Sequence, residues 1–232
     1  MSFVVAIDGP AGSGKGTITK LVGEELGLVY IDTGALYRCV TLSMIKNNVS
    51  LEENEKIKEI LNTINIEFKK DENKDSVYLN GEDVTKQIRE KEVNELVSQV
   101  SHLIQVRENI TNLSRKIAEG KKVIMEGRDI GTNVFPNADV KIYLDATAEE
   151  RARRRLKQNQ EKGIDIPYEE ILQNIIFRDN NDKTSSVAPL KQAEDAVYID
   201  SSDMTIEEVK NEIINIIRGG QITNLWKIFL RR

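Results

Sequence analysis

A glycine-rich segment near the N-terminus contains the clearest chemical signal in the sequence. It follows an apolar run and reads Gly9-Pro10-Ala11-Gly12-Ser13-Gly14-Lys15-Gly16-Thr17. Glycines let successive backbone N–H groups turn toward a phosphate without Cβ clashes, and the start of a following helix adds the positive end of its dipole. Lys15 supplies a compact cation for β- and γ-phosphates. We therefore predict that residues 9–17 bind ATP, because strand, loop and helix follow in the required order.

The residue after Lys15 indicates which class of nucleotide-binding protein the loop belongs to. Most such loops have Ser or Thr there to hold magnesium, whereas this chain has Gly16 and places the hydroxyl one residue later, at Thr17. We expect Mg²⁺ to bind with ATP but to be anchored less tightly by the loop, and we assign it no direct protein ligand. The Gly-Lys-Gly-Thr ending resembles nucleoside monophosphate kinases of the adenylate kinase type more than motor or switch NTPases.

Arginines and aspartates elsewhere in the sequence leave two kinds of phosphoryl acceptor open. A hydroxyl acceptor needs a carboxylate base, and Asp32 or Asp129 could serve. A phosphate acceptor is mostly deprotonated at pH 7 and needs cations instead; Arg38 and Arg128 suit that role, because guanidinium pairs well with phosphate oxygens. The arginines favour a phosphate acceptor. A switch or regulatory module that binds ATP without transferring phosphate is a third reading.

The elements that must position these residues alternate along the chain. Helical spacing of apolar residues predicts a helix from 18 to Gly27 and another from about Thr33 to Lys46. Short apolar runs separated by helical patterns predict buried strands at 3–7, 123–125, 140–144 and 196–199. We expect an α/β fold with a parallel sheet flanked by helices on both faces.

Two segments depart from that alternation. Between 64 and 84 the pattern changes to alternating polar and apolar residues, and Asn80-Gly81 is a strong hairpin signal, so we predict a small antiparallel insertion. From Arg151 to Asp182 the chain is almost wholly polar and charged. Taken alone, such a run is usually a solvated helix face.

Composition and charge exclude several classes of function. The chain has 33 basic and 38 acidic residues and a net charge of -5, whereas a protein that coats nucleic acid normally carries excess positive charge. No apolar stretch reaches the roughly 20 residues of a membrane span, and the first strand lacks the flanks of a signal peptide. With a single cysteine, Cys39, no intramolecular disulfide can form. We therefore expect a soluble, cytoplasmic protein that binds neither nucleic acid nor membrane.

Four separated motifs, in a consistent order, resemble the bacterial cytidylate kinase family. The resemblance extends from residue 2 to about 218, and the enlarged insertion at 64–84 also matches. The motifs beyond the glycine loop are Asp32 to Arg38, Glu126 to Pro136, Lys141 to Arg155, and Arg178 to Asp182 with Ala188-Pro189-Leu190. The resemblance implies a P-loop three-layer fold with a helical lid, and a monomer that phosphorylates CMP or dCMP.

The resemblance also implies a layout for the chain. The whole of 1–232 would form a single kinase domain. Its segments would be a core of 1–50, 96–150 and 186–220, an acceptor-binding insertion of about 51–95, a lid of about 151–185 and an extension of 221–232.

Roles for individual residues follow from the same resemblance. Arg38 and Arg128 would hold the acceptor phosphate. The base and ribose of the acceptor would contact Thr33, Ser98, Arg107, Asp129, Arg178 and Asp182. The lid would cover the transferring phosphoryl group with Arg151, Arg154 and Arg155. On this interpretation, some arginines of the charged run act in the site and do not merely form a solvated helix face.

The sequence departs from the family at two places. The family usually has an arginine three residues after the aspartate at position 182, where this chain has Ser185, so we expect one cationic contact to the acceptor to be missing or to be partly replaced by Lys183. Residues 221–232 extend past the matched region. Their apolar side chains are expected to continue a helix that packs locally, although a partner or a membrane could also explain them.

Overall fold

The chain divides into two units, each with its own hydrophobic cluster. The computed structural model describes residues 2–71, 74–161 and 163–229. The first unit comprises Met1–Ile31 and Ile117–Arg232, and the second is the continuous segment Asp32–Lys116.

The structure contains every strand and helix that the sequence predicts, together with others that it does not. The strands are β1 Phe3–Asp8, β2 Val29–Asp32, β3 Ile66–Asp71, β4 Lys74–Leu79, β5 Glu82–Asp83, β6 Lys122–Gly127, β7 Val140–Asp145 and β8 Val197–Asp200. The helices are α1 Lys15–Leu26, α2 Thr33–Lys46, α3 Asn54–Thr63, α4 Lys91–Val100, α5 Ile104–Ala118, α6 Ala148–Glu161, α7 Tyr168–Thr184 and α8 Ile206–Phe229. A 3₁₀ turn at Gln87–Arg89 and a π-helical turn at Ile130–Val134 complete the described elements.

A five-stranded sheet forms the centre of the first unit. Its strand order is β2-β6-β1-β7-β8, and β1 pairs in parallel with both β6 and β7. Apolar side chains of α1, α8 and four of the strands form one buried cluster. Side chains that point to the opposite face, such as Ala6 and Met125, are buried as well. The predicted parallel sheet flanked by helices is therefore confirmed.

Strand β2 was not predicted from the sequence, where no strand was expected between Gly27 and the helix at Thr33. Gly27 ends α1 in a left-handed conformation (φ 64°), and only five residues, 28–32, remain before α2 begins. A four-residue apolar run shows no periodicity that separates strand from helix. Because β2 lies at an edge of the sheet, Val29 is exposed and Ile31 alone is buried in this strand.

The second unit contains the predicted antiparallel insertion. Strands β3, β4 and β5 form a three-stranded sheet in that order, with Phe68 opposite Val77 and Tyr78 opposite Asp83. Asn80 and Gly81 connect β4 to β5 with φ of 50° and 85°, the signs that a type I′ hairpin turn requires. Buried residues of this sheet share one cluster with α2, α3, α4 and α5.

Most of the charged run from Arg151 to Asp182 lies in the helices α6 and α7 of the first unit. They pack through a small apolar cluster around Ala152, Ile171 and Ile175, so the prediction of a helical segment is confirmed. At the C-terminus, α8 continues as a helix to Phe229. The local packing expected for Leu225, Trp226, Ile228, Phe229 and Leu230 concerns side chains outside the described part of the structure.

Across the described residues, none of the helices combines the length and the apolar character that a membrane span requires.

Candidate active site

The glycine loop connects β1 to α1 in a conformation that other side chains would not permit. A Cβ atom on Gly9 would lie 2.0 Å from the carbonyl oxygen of Leu144 in β7, so only glycine fits at position 9. Gly14 caps α1 with φ of 87°. Ser13 and Lys15 are buried, while Gly12 and Thr17 are exposed.

Lys15 closes this loop on itself. Its ammonium donates to the carbonyl oxygen of Pro10 at 2.6 Å and to the Ser13 hydroxyl at 3.3 Å. Burial, and then the positive charge of Arg128, lower the pKa of Lys15 to about 7. Glu126, Asp8 and Asp182 oppose that shift. The lysine therefore lies in a cluster of charges that includes a second cation.

Arg128, which follows β6, is that second cation. Its Nε donates to the Asp182 carboxylate of α7 at 2.9 Å, and its side chain is 32% exposed, so the guanidinium remains accessible to a ligand. Arg178 lies one helical turn before Asp182 and is half-buried. Lys15, Arg128 and Asp182, which the sequence assigned to ATP and acceptor, thus lie together in the first unit.

Glu126 occupies the space next to the residue that replaces the usual Ser or Thr of the loop. The Tyr30 hydroxyl donates to the Glu126 carboxylate, and a Cβ on Gly16 would lie 3.1 Å from Oε1 of Glu126. A larger side chain at position 16 would press against this carboxylate. The departure at Gly16 and the presence of Glu126 are therefore sterically linked.

The three lid arginines have different environments. Arg151 is 4% exposed and forms a bidentate pair with Asp179 of α7 at 2.9 and 2.5 Å. Its remaining bonds go to the carbonyl oxygens of Ala146, at 2.9 Å, and of Ala11 in the glycine loop, at 3.0 Å. Arg151 therefore holds α6, α7 and the loop together.

Arg154 and Arg155 are less enclosed. Arg154 donates to the Ser201 carbonyl at 2.6 Å and to Glu150 at 3.1 Å. Its NH1 lies 3.9 Å from where a Cβ on Gly14 would stand, next to the glycine loop. Arg155 is exposed on α6.

Residues predicted for the acceptor in the second unit begin at α2. Asp32 caps this helix by accepting from the Ala35 N–H at 3.0 Å. Arg38 folds back toward Gly34, where an added Cβ would lie 2.8 Å from its NH1, and its Nε donates to Asn94 at 3.5 Å. Thr33 is buried at the first position of the helix.

The predicted base-reading residues of the second unit lie around the α4–α5 connection. Arg107 is 9% exposed, donates to the Ser101 carbonyl at 3.0 Å and lies 5.7 Å from the ring centre of Tyr37. The Ser98 carbonyl accepts from the Ser101 hydroxyl at 2.8 Å and lies 2.6 Å from His102 Nδ1. Ser98 itself is half-exposed.

Ser185, at the position where the family usually has an arginine, ends α7. Its hydroxyl donates to the Val187 carbonyl at 2.8 Å and accepts from the Val187 N–H at 3.3 Å. The residue therefore shapes the turn that follows the helix, and it supplies no cation.

Three acidic residues of the first unit were not assigned a site role from the sequence. Asp179 pairs with Arg151, Glu126 lies against Gly16, and Asp8 accepts from the backbone after Asp129. Asp8 and Glu126 each lie near the end of a strand next to the glycine loop, a position that could have identified them. Asp179 had no such signal, because its partner is 28 residues away on a different helix.

A parallel sheet with a glycine loop after its central strand, and a buried lysine at the start of the next helix, define a P-loop nucleotide-binding protein. The family model described as cytidylate kinase matches residues 5–219. The chain belongs to the cytidylate kinase family.

Individual relatives agree with that assignment. A protein named cytidylate kinase from Caldicellulosiruptor bescii is 50% identical over 212 residues, which cover 91% of this chain and 94% of the relative. Another of the same name, from Fusobacterium nucleatum, is 49% identical and covers 91% of this chain and 95% of the relative. The solved structure of an uncharacterized protein from Eubacterium ventriosum superposes with a TM-score of 0.50 at 11% identity, covering 93% of this chain and 98% of that one. That likeness shows the fold alone.

Proposed function

We propose that the protein transfers the γ-phosphoryl group of ATP to CMP or dCMP, giving ADP and CDP or dCDP. Relatives named cytidylate kinase, at 49% and 50% identity over nearly their whole length, support these substrates. The structural observation that carries the proposal is the placement of Arg128, held by Asp182 at 2.9 Å, in the same charged cluster as the buried Lys15. Two cations in one cluster suit a reaction in which two anionic phosphates must meet.

The chemistry requires positioning and charge neutralisation more than proton transfer. The acceptor phosphate is mostly deprotonated at pH 7, so one of its oxygens can attack the γ-phosphorus while the bond to the β–γ bridging oxygen breaks and ADP leaves. Lys15 binds the phosphates of ATP on residues 9–17, and Arg38 and Arg128 hold the acceptor phosphate. Closing of the lid and the insertion excludes water, which would otherwise hydrolyse ATP.

Recognition of the nucleoside is assigned to the remaining site residues. Ser98, Arg107 and Asp129 read the cytosine edge, and a carboxylate can accept from the exocyclic amine of cytosine. Thr33, Arg178 and Asp182 contact the ribose region. Among the lid arginines, Arg154 and Arg155 act on the transferring group, while the bonds of Arg151 support a role in holding the glycine loop.

Mg²⁺ accompanies ATP in this proposal, and the residues next to the loop fit a hydrated ion. No cluster of three or more acidic, histidine or cysteine side chains that could hold a metal occurs among the described residues. The Thr17 hydroxyl is exposed in the first turn of α1, and the Glu126 carboxylate lies beside Gly16. Oxygen donors of this kind would hold the water shell of Mg²⁺, and the bound ion would supply positive charge that neutralises the phosphates of ATP. We further propose that the protein acts as a cytoplasmic monomer.

ADP production with a panel of acceptors at fixed ATP tests the proposed function. We expect turnover with CMP or dCMP, whereas turnover only with a sugar or another hydroxyl metabolite would indicate an alcohol kinase with Asp32 or Asp129 as base. No turnover with any acceptor would indicate a switch or binding module.

The variant Arg128→Ala tests the site. Loss of one cationic donor to the reacting phosphate should lower kcat/KM for CMP by about 100- to 1000-fold. Arg153→Ala is the matched control, because the Arg153 side chain is 66% exposed on α6 and pairs only with Glu150 in the described contacts. Full activity of Arg128→Ala would refute the assignment.

A further inference from the structure

Asp8 is a buried carboxylate with no assigned contact to ATP or acceptor. It is the last residue of β1, directly before Gly9, and is 5% exposed. In the parallel ladder it stands opposite Gly127 of β6, the residue that precedes Arg128. Asp8 therefore lies where the strand of the phosphate loop meets the strand that leads to the acceptor residues.

Both oxygens of this carboxylate accept backbone N–H groups from one turn. Oδ1 accepts from Ile130 and Oδ2 from Gly131, each at 2.7 Å. These two N–H groups begin the π-helical turn Ile130–Val134, and the first N–H groups of any helical turn lack partners within it. Later N–H groups of the turn, on Asn133 and Val134, bond to the Asp129 carbonyl at 2.9 and 3.1 Å.

Packing around Gly131 leaves the turn little freedom to shift. A Cβ on Gly131 would lie 3.1 Å from Cδ of Lys141 and 3.4 Å from Oδ2 of Asp8. Lys141 is itself held by the Pro136 carbonyl at 2.6 Å and by Asp195 at 2.8 Å. Arg128 and Asp129 directly precede this turn. The hydrogen bonds of Asp8 to the turn therefore also restrict the positions of these two residues.

The charge of Asp8 costs stability. Desolvation raises the pKa of Asp8 from 3.8 to about 6, and the charge of Asp129 adds to the increase. The two backbone bonds and Lys15 oppose the shift without cancelling it. A carboxylate whose pKa is raised by folding is less favourable at pH 7 in the folded chain than in the unfolded chain.

We propose that Asp8 is a positioning residue for the acceptor. By accepting from both Ile130 and Gly131, it sets the position of Arg128 and Asp129 relative to the phosphate loop that begins at Gly9. The proposal rests on the proposed function, because it assigns acceptor binding to Arg128 and Asp129.

Asp8→Asn tests this role, because the amide presents a donor where one of the two N–H groups needs an acceptor. We expect the KM for CMP to rise by about tenfold or more, since small misplacements of binding groups are costly, while the KM for ATP changes by less than about threefold. Amide exchange of Ile130 and Gly131 should accelerate by about tenfold, with β6 still protected. An equal rise in both KM values would show that Asp8 acts through Lys15 and would overturn the proposal.

Asp139→Asn is the matched control at the other end of β1. Asp139 also accepts a backbone N–H, from Val4 at 2.8 Å, but it lies far along the strand from Gly9. Its variant should leave both KM values within about twofold, whereas a CMP-specific rise would mean that any weakening of β1 has this effect and would overturn the proposal.

A second variant covers the case in which Asp8→Asn does not fold. Gly131→Ala keeps the carboxylate and displaces the turn, so it should raise the KM for CMP selectively as well; an unchanged value would overturn the proposal. If the wild-type protein shows no activity with CMP, the proposed function fails. The amide-exchange result then still decides whether Asp8 fixes the turn.

Discussion

Lys15 and Arg128 illustrate how single residues of this site depend on charges that a ligand would bring. Each already bonds to protein oxygens, Lys15 to Pro10 and Ser13 and Arg128 to Asp182. Burial of Lys15, and then the positive charge of Arg128, lower the pKa of Lys15 to about 7. A polyanion bound at the loop would reverse the sign of the local field and favour the protonated ammonium.

ATP binding should consequently be accompanied by proton uptake. At pH 8 a lysine with a pKa of about 7 is mostly neutral, and the bound phosphates should raise that pKa well above 8. Linkage then predicts a net uptake of up to about one proton per ATP. Calorimetric titration with ATP at pH 8, in buffers of different ionisation enthalpy, measures this number directly.

Lys15→Arg is the control, because its guanidinium is protonated before and after binding. Its binding heat should be independent of the buffer. Buffer-independent heat for the wild-type protein would mean that Lys15 is already protonated without ATP and would contradict the prediction.

At the level of elements, the packing of α6 against α7 depends on a buried ion pair. These helices share a cluster built around only three buried apolar residues, Ala152, Ile171 and Ile175. The bidentate pair of Arg151 and Asp179 joins them at a buried position, with side-chain exposures of 4% and 12%. Because Arg151 also bonds to Ala11, the same side chain connects these helices to the glycine loop.

Removal of one partner of this buried pair should be strongly destabilising. Arg151→Met leaves the Asp179 carboxylate and the Ala11 and Ala146 carbonyls without their donor, so we expect a loss of about 3–5 kcal/mol in the free energy of unfolding. Urea unfolding measures the loss. The exposed Arg153 provides the control, since Arg153→Met should change stability by no more than about 0.5 kcal/mol.

A double variant separates the pair from other effects of the substitution. Arg151→Met with Asp179→Leu removes both charges and should recover part of the lost stability, because no charge is left buried without a partner. A double variant no more stable than Arg151→Met would contradict this account.

One tetrapeptide shows why elements were only partly predictable. Val-Tyr-Ile-Asp occurs at 29–32 and at 197–200, and both copies form edge strands of the same sheet with only the isoleucine buried. The second copy was recognised from its neighbours, whereas the first was passed over between Gly27 and Thr33. Strand β2 pairs with β6, which begins 90 residues after β2 ends (122 against 32), and the local sequence pattern does not contain that information.

The site was predictable to a similar extent. Lys15 and Arg128 belong to local motifs, and motif order was enough to find them. The contacts of Asp8 with Ile130 and of Arg151 with Asp179 join residues 122 and 28 positions apart. Such contacts depend on strand register and helix packing, so sequence reasoning assigned no site role to Asp8 or Asp179.

At the scale of the whole molecule, each unit has a hydrophobic core of its own. The second unit is larger than the predicted insertion of about 51–95, because α2 and α5 share their buried side chains with the small sheet. The alternating pattern of the sequence predicts where the small antiparallel sheet begins. It does not predict which helices pack against that sheet in the same hydrophobic core. As a functional segment, the insertion remains a prediction.

The first unit should be complete without residues 221–232. Among the described side chains, α8 contributes Val209, Ile213, Ile214 and Ile217 to this core, and the family match ends at residue 219. We therefore expect deletion of 221–232 to leave kcat and both KM values within about twofold and the urea midpoint nearly unchanged, because none of these four side chains is removed. Deletion from Ile214 onward is the contrasting variant. It removes two buried isoleucines and should cost several kcal/mol, at about 2–5 kcal/mol for each lost side chain. If the shorter deletion destabilises the protein as much as the longer one, the extension is part of the core, and the cluster ending at Ile217 is not sufficient.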